Sequence, residues 1–151
     1  MFISVTRLRV RSYLYLLPFM WDSLRSARQA RRAPGFLGGK LMGDGRKTSW
    51  TVTAWADESS MRAFRNSDAH RNAMPKLFDW GEESSYAHWE QETAQLPDKK
   101  EAHRRLRDEG RLSKVRRPSP AHAAGQTVEP ECALRLEVAL RPARRGAART
   151  P

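Results

Sequence analysis

Acidic residues are scarce in this chain. Seventeen Asp and Glu stand against 28 Lys and Arg, a formal charge of +11 over 151 residues. That balance turns away from cationic partners and towards anionic ones: nucleic acid, anionic lipid or anionic small molecules. Cysteine is almost absent. Cys132 is alone, which excludes an internal disulfide and a cysteine-built metal centre and fits a reducing compartment, so a cytoplasmic location is expected. Long apolar runs are missing as well. The best, Tyr13 to Trp21, holds two tyrosines and Pro18 and falls well short of the ~20 residues that cross a bilayer. Arg7, Arg9 and Arg11 ahead of it imitate a secretory signal, but Ser23-Leu24-Arg25 is a poor cleavage site, and the run reads as structure.

Several catalytic signatures are also lacking. The glycines between Gly35 and Gly45 do not open a helix, so there is no phosphate loop and no dinucleotide fingerprint. No Gly-x-Ser-x-Gly elbow occurs. His70, His88, His103 and His122 do not share the spacing of a zinc or iron site. No internal repeat is evident.

What is present is an ordered run of elements. Phe2 to Val10 is rich in β-branched residues and nearly alternates, the mark of a strand. Leu17, Met20, Trp21, Leu24 and Ala27 recur at helical spacing, with Pro18 in the tolerated first turn, arginines at 25, 28, 31 and 32 on the polar side, and Pro34-Gly35 as the stop. Residues 36–42 and 47–56 read as two strands joined at Gly43-Asp44-Gly45-Arg46. Asp57 can cap a helix whose Met61 and Phe64 face inward. Ser67 or Asp68 opens a second piece with His70, Ala73, Met74 and Leu77, which Pro75 is expected to shorten or kink. Tyr86 to Glu92 reads as a last strand. The order is strand, helix, strand, strand, helix, strand: a ferredoxin-like βαββαβ α+β domain over residues 1–95, with a four-stranded antiparallel sheet and helices on one face. The bare sheet face needs a cover, and a homodimer through it is expected. Residues 96–117 read as a basic helical extension opened by Pro97-Asp98, and 118–151 as a mostly disordered tail rich in Pro, Ala and Arg, with 128–140 able to order locally.

Candidate chemistry is sparse, and each feature has a structural alternative. On the third strand Trp50, Val52 and Ala54 share one face, and Thr51, Thr53 and Trp55 the other. The second set can line a pocket for a flat aromatic ligand, although both tryptophans also suit a core or an interface. His70 is the best single candidate: a neutral imidazole can take a phenolic proton, ligate haem iron, or simply cap its helix. Tyr86, His88 and Glu90 share a strand face, as a relay or as a solvent-facing stripe. Between Lys99 and Arg117 nine basic residues meet three acidic ones, a charge able to hold nucleic acid, yet without interleaved aromatics or a reading motif it suits a solvated helix packed through Leu106 and Leu112.

Thr53-Ala54-Trp55-Ala56-Asp57-Glu58 resembles the strand-ending triplet and capped helix of the antibiotic-biosynthesis-monooxygenase-like proteins, a dimeric α+β barrel superfamily. Phe64-Arg65-Asn66-Ser67-Asp68-Ala69-His70-Arg71 is similar to their aromatic, Ser-Asp and short-helix pattern, and His70-Arg71 followed by Ala73-Met74-Pro75 resembles spheroidene-monooxygenase-like relatives. The resemblance covers about residues 1–95. It implies a monooxygenase-like protein that takes a hydrophobic or aromatic compound between helices and sheet. Members include cofactor-free oxygenases of polyphenolic rings, haem-degrading enzymes and haem-binding proteins. The positions that carry haem degradation hold Thr6, Phe64 and Met74 here and do not match, so no cofactor is required by this reading; haem held by His70, or a ligand-binding module without turnover, stays as the alternative. His70 is then the expected base, with Thr6, Trp21, Trp55, Phe64 and Met74 as substrate-binding residues.

Overall fold

The computed structural model describes residues 1–45, 47–130 and 136–143. Strand β1 (Phe2–Val10) leads through a short 3-10 turn (Tyr13–Tyr15) into α1 (Leu16–Ala30). Strands β2 (Phe36–Gly43) and β3 (Thr48–Trp55) follow, then α2 (Glu58–Arg65), α3 (Asp68–Trp80) and β4 (Gly81–Glu90). After these come α4 (Lys99–Asp108), β5 (Arg111–Leu112), α5 (Pro120–Ala123) and β6 (Glu137–Leu140). The βαββαβ order is the one expected, and the strands pair antiparallel in the order β5-β4-β1-β3-β2-β6.

The sheet has six strands among the described residues rather than four. One addition comes from the segment read as a disordered tail: β6 pairs with β2, placing Leu140 beside Gly39 and Ala139 beside Lys40, and Lys40 Nζ lies 3.5 Å from Glu137. Leu136, Val138 and Leu140 alternate as a strand does, and Leu140 reaches the core. Cys132 and Leu134 lie outside the described residues. Strand β4 begins at Gly81, earlier than Tyr86, because ion pairs rather than apolar alternation hold its first half. Arg7 donates to Glu83 at 2.6 Å, and Arg9 sits 2.7 Å from Glu82. Helix α3 runs through Pro75 to Trp80 and is not cut short there. Lys76, just past the proline, is tied to Asp22 of α1 at 2.8 Å.

Both faces of the sheet are covered. Ile3, Val5, Trp50, Val52, Ala54, Ala87 and Trp89 form one buried cluster, and α4 lies over it through Ala102 and Leu106. The chain's own extension thus covers part of the face through which a dimer is expected. Asp98 caps α4 by accepting from Glu101 N–H at 2.8 Å, and Gly110 follows its end. Leu112 stays exposed in β5 and takes no part in the packing. On the opposite face, Phe2, Ala27, Ala30, Phe36, Trp55, Met61 and Leu140 make a second cluster at one end of the sheet.

The turn from α1 into β2 depends on Gly35. Its φ is +77°, and an added Cβ would lie 2.6 Å from Ser60 Cβ while its carbonyl accepts from Ala56 N–H at 2.7 Å. Gly35→Ala is expected to cost about 1–3 kcal/mol in urea unfolding, with Gly125→Ala, at a similar φ but in open space, costing less.

Candidate functional site

The helix-facing side of the sheet is built in rows. Leu41, Thr51, Thr6 and Tyr86 stand side by side; Gly39, Thr53, Ser4 and His88 form the next row, and Gly43, Ser49, Leu8 and Ser84 the third. Directly opposed residues share a face, so these rows present mainly hydroxyl groups to the helices above. The inner face of α1 answers with Asp22, Ser23, Ser26 and Ala27, side chains too short to reach the floor. A cavity of about 280 Å³ remains, roofed by α1 and by Phe64, His70, Ala73, Met74 and Leu77 of the α2–α3 arm. Its openness is recorded in one residue: Thr6 is exposed although it sits mid-way along a central strand under two helices.

His70 is fixed by the corner between α2 and α3. Its backbone N–H donates to Gln29 Oε1 at 2.9 Å, and the same amide's Nε2 donates to the Phe64 and Ser67 carbonyls at 3.1 and 3.0 Å. One glutamine of α1 thus locks the corner to the helix across the cavity. The imidazole packs on Phe64 with ring centroids 4.7 Å apart, and Nδ1 is 3.2 Å from the Arg65 carbonyl. A carbonyl only accepts, so Nδ1 carries the proton and Nε2 keeps its lone pair. Nε2 makes no hydrogen bond to a described residue. Burial pushes the His70 pKa below 6.5 and the neighbouring Arg65 charge adds to that, while the Arg65 carbonyl opposes it. At neutral pH the group is therefore an uncharged base on the cavity wall. The capping role and the basic role are compatible, since they use different nitrogens.

His88 lies across the floor, its ring 5.3 Å from Tyr86 and 5.6 Å from Phe2. Burial lowers its pKa too, followed by the positive field of Arg65. Tyr86 and His88 thus face the cavity and not solvent, a placement that strand alternation alone could not assign. Glu90 is exposed and takes no part in a relay.

Of the residues expected from sequence, His70, Thr6, Phe64 and Met74 are brought together around the cavity. Trp55 is not on the wall. It is fully buried behind it, stacks on Phe64 at 5.0 Å, and donates from Nε1 to Thr53 Oγ1 at 3.0 Å. Trp21 is a clear departure: it points outward and is 63% exposed, because α1 turns its small and polar residues to the sheet. Asp22, Ser26 and the hydroxyl rows are the residues that sequence reasoning missed. The i, i+4 spacing of Asp22 and Ser26 was the available signal. Haem fits the cavity poorly. About 280 Å³ is at the small end of ligand cavities, and the flat face of a tetrapyrrole would lie on the hydroxyls of Ser4, Thr6 and Thr51. Among the described residues no three His, Cys, Asp or Glu side chains gather to hold a metal ion.

The arginines of α4 are paired with acids of the same helix and its C-terminal end. Arg104 and Arg105 both pair with Glu101, at 2.6 and 3.1 Å, Arg105 also with Glu109, and Arg107 with Asp108. This is a solvated helix with buried Ala102, His103 and Leu106.

Both cavity histidines should titrate below the ordinary value of about 6.5 in a pH-dependent NMR spectrum. The unfolded chain then takes up these protons before the folded one does, so stability should fall as pH drops through about 6.5 and towards the folded midpoints. His70→Gln should make that fall shallower. An unchanged slope, or a His70 midpoint above 7, would contradict the assignment of a buried neutral imidazole.

Residues 22–76 match the family model described as antibiotic biosynthesis monooxygenase, a span holding the C-terminal part of α1, the β2–β3 hairpin, α2 and most of α3. The fold is similar to that of a solved antibiotic biosynthesis monooxygenase at 9% identity and TM-score 0.55, covering 62% of this chain and 100% of that one. It is similar to SnoaB from Streptomyces nogalater, a cofactor-independent oxygenase, at 19% identity and TM-score 0.52, covering 64% and 97%. A conserved protein from Methanosarcina mazei Go1 is similar at 15% identity and TM-score 0.54, covering 60% and 92%. No curated protein matches the sequence significantly. In fold, and in sequence over residues 22–76, the chain is antibiotic-biosynthesis-monooxygenase-like.

Proposed function

We propose that the cavity binds a small, hydroxylated aromatic compound and that His70 Nε2 removes a proton from it. The observation that carries this reading is the arrangement of His70 itself: Nδ1 is committed to the Arg65 carbonyl, and Nε2 makes no hydrogen bond to a described residue while the ring lines the cavity. The two halves of the cavity suit such a ligand. Phe64, Met74 and Leu77 offer an apolar side for a ring, and the hydroxyl rows offer donors and acceptors for its substituents.

Deprotonation makes an electron-rich ring a reductant. The anion passes electrons to dioxygen without help from a metal or flavin, and a site shielded from bulk water protects the reactive species. Atoms balance if a ring methylene becomes a carbonyl: two hydrogens leave, one oxygen atom enters, and the other departs as water. The described cofactor independence of SnoaB supports this reading by likeness of fold.

The test uses a tricyclic hydroxylated probe such as dithranol, with oxygen uptake and quinone absorbance recorded against the spontaneous reaction. Wild type should accelerate oxidation, and His70→Ala should lose roughly 10²–10⁴ of that acceleration while still quenching on probe binding. Binding without acceleration would make the domain a ligand carrier. Absence of binding would end the proposal.

A further inference from the structure

Helix α1 carries large apolar residues on its outer face as well as on the face that packs on the sheet. Its inward face carries Phe19, Asp22, Ser23, Ser26 and Ala27, and its outward face carries Leu17, Trp21 and Leu24 at i, i+4 and i+7, exposed by 77, 63 and 59%. Leu14, in the preceding turn, is 85% exposed on the same side. Burying so much apolar surface is worth more than leaving it wet, so a contiguous patch of this kind marks a surface that meets something.

The stripe then changes character. Past Leu24 the same face continues as Arg25, Arg28 and Arg32, all exposed. Their side chains make no hydrogen bond and no ion pair with a described residue. The contrast with α4 is informative, because there Arg104, Arg105 and Arg107 all have carboxylate partners. The one acid beside the apolar half, Asp22, is turned inward and held by Lys76.

We propose that the outer face of α1 docks the protein on an anionic bilayer surface, with Leu14, Leu17, Trp21 and Leu24 entering the interface and Arg25, Arg28 and Arg32 meeting lipid phosphates. Apolar residues with an indole on one half and unpaired guanidiniums on the other are what such a surface recognises. A second copy is the less fitting occupant. An antiparallel contact through this face lays the leucines of one copy on the arginines of the other, and a parallel one sets arginine against arginine. No helix among the described residues is long and apolar enough to cross a membrane, so the contact lies along the surface. The proposal is independent of what the cavity binds.

The experiment is co-sedimentation of the full chain with phosphatidylcholine vesicles, with and without phosphatidylglycerol, at low and high salt, beside sedimentation equilibrium without lipid. Wild type should bind the anionic vesicles, more weakly as salt rises, and bind neutral vesicles at least roughly tenfold less. The triple variant Leu17→Ser, Trp21→Ser, Leu24→Ser keeps every arginine and should lose roughly tenfold or more. Arg25→Gln, Arg28→Gln, Arg32→Gln should lose a similar amount on anionic vesicles. All six positions are exposed, and a thermal melt checks that each variant folds. Three results would overturn the proposal: no vesicle binding; an apolar variant that binds like wild type, which would assign adhesion to charge elsewhere; or a dimer that the apolar variant abolishes while vesicles are ignored.

Discussion

A helix lies over a sheet only as closely as the side chains between them allow, and in this protein that gap is set by how α1 is pinned at its two ends. At its C-terminal end Ala27 and Ala30 pack into the cluster of Phe2, Phe36, Trp55 and Met61, and Gln29 ties the helix to the α2–α3 corner with bonds of 2.9 to 3.1 Å. Towards its N-terminal end Asp22 is held by Lys76 of α3 at 2.8 Å, and Tyr15 stacks on Trp80 at 5.9 Å. Between these pins the helix offers Ser23 and Ser26, with Phe19 one turn earlier, and the floor offers Ser4, Thr6 and Thr51. Neither set is long enough to fill the gap. The cavity follows from that shortage.

The histidine chemistry rests on the same pins. Gln29 holds the backbone of His70 while the Arg65 carbonyl fixes its tautomer. Neither contact uses Nε2. The fold therefore leaves Nε2 of a cavity-lining imidazole without a hydrogen bond to a described residue, and burial lowers its pKa. On the other side of the sheet, α4 supplies the cover that a bare ferredoxin-like sheet lacks, and its arginines are matched by Glu101, Asp108 and Glu109. The positive charge of the chain is thus functionally uneven: its arginines are paired along α4 and open along α1.

Much of this was legible in the residues. The βαββαβ order, the Asp57 cap and the inward Met61 and Phe64 all follow from periodicity and capping, and the Asp57 carboxylate does accept from Ser60 N–H at 2.7 Å. His70, Thr6, Phe64 and Met74, expected from the family resemblance and the helix pattern, line one cavity. What could not be read was direction. The apolar recurrence through Leu17, Trp21 and Leu24 looks the same whether the stripe faces a core or solvent, and its inward reading misplaced Trp21. Tyr86 and His88 alternate identically on a wet face and on a cavity floor. The first half of β4 carries polar residues whose pairing is ionic, which leaves no hydrophobic signal. The cover by α4 and the pairing of β6 are long-range contacts that local sequence does not encode.

The central claim is that the space above Thr6 is a preformed binding cavity. The most direct measurement is the stability and probe affinity of Thr6→Phe. A cavity that already exists accepts the ring, so urea unfolding should change by no more than about 0.5 kcal/mol while binding of the aromatic probe is lost. A destabilisation of about 1–3 kcal/mol, the signature of overpacking a filled core, or probe binding that survives the substitution, would contradict the account.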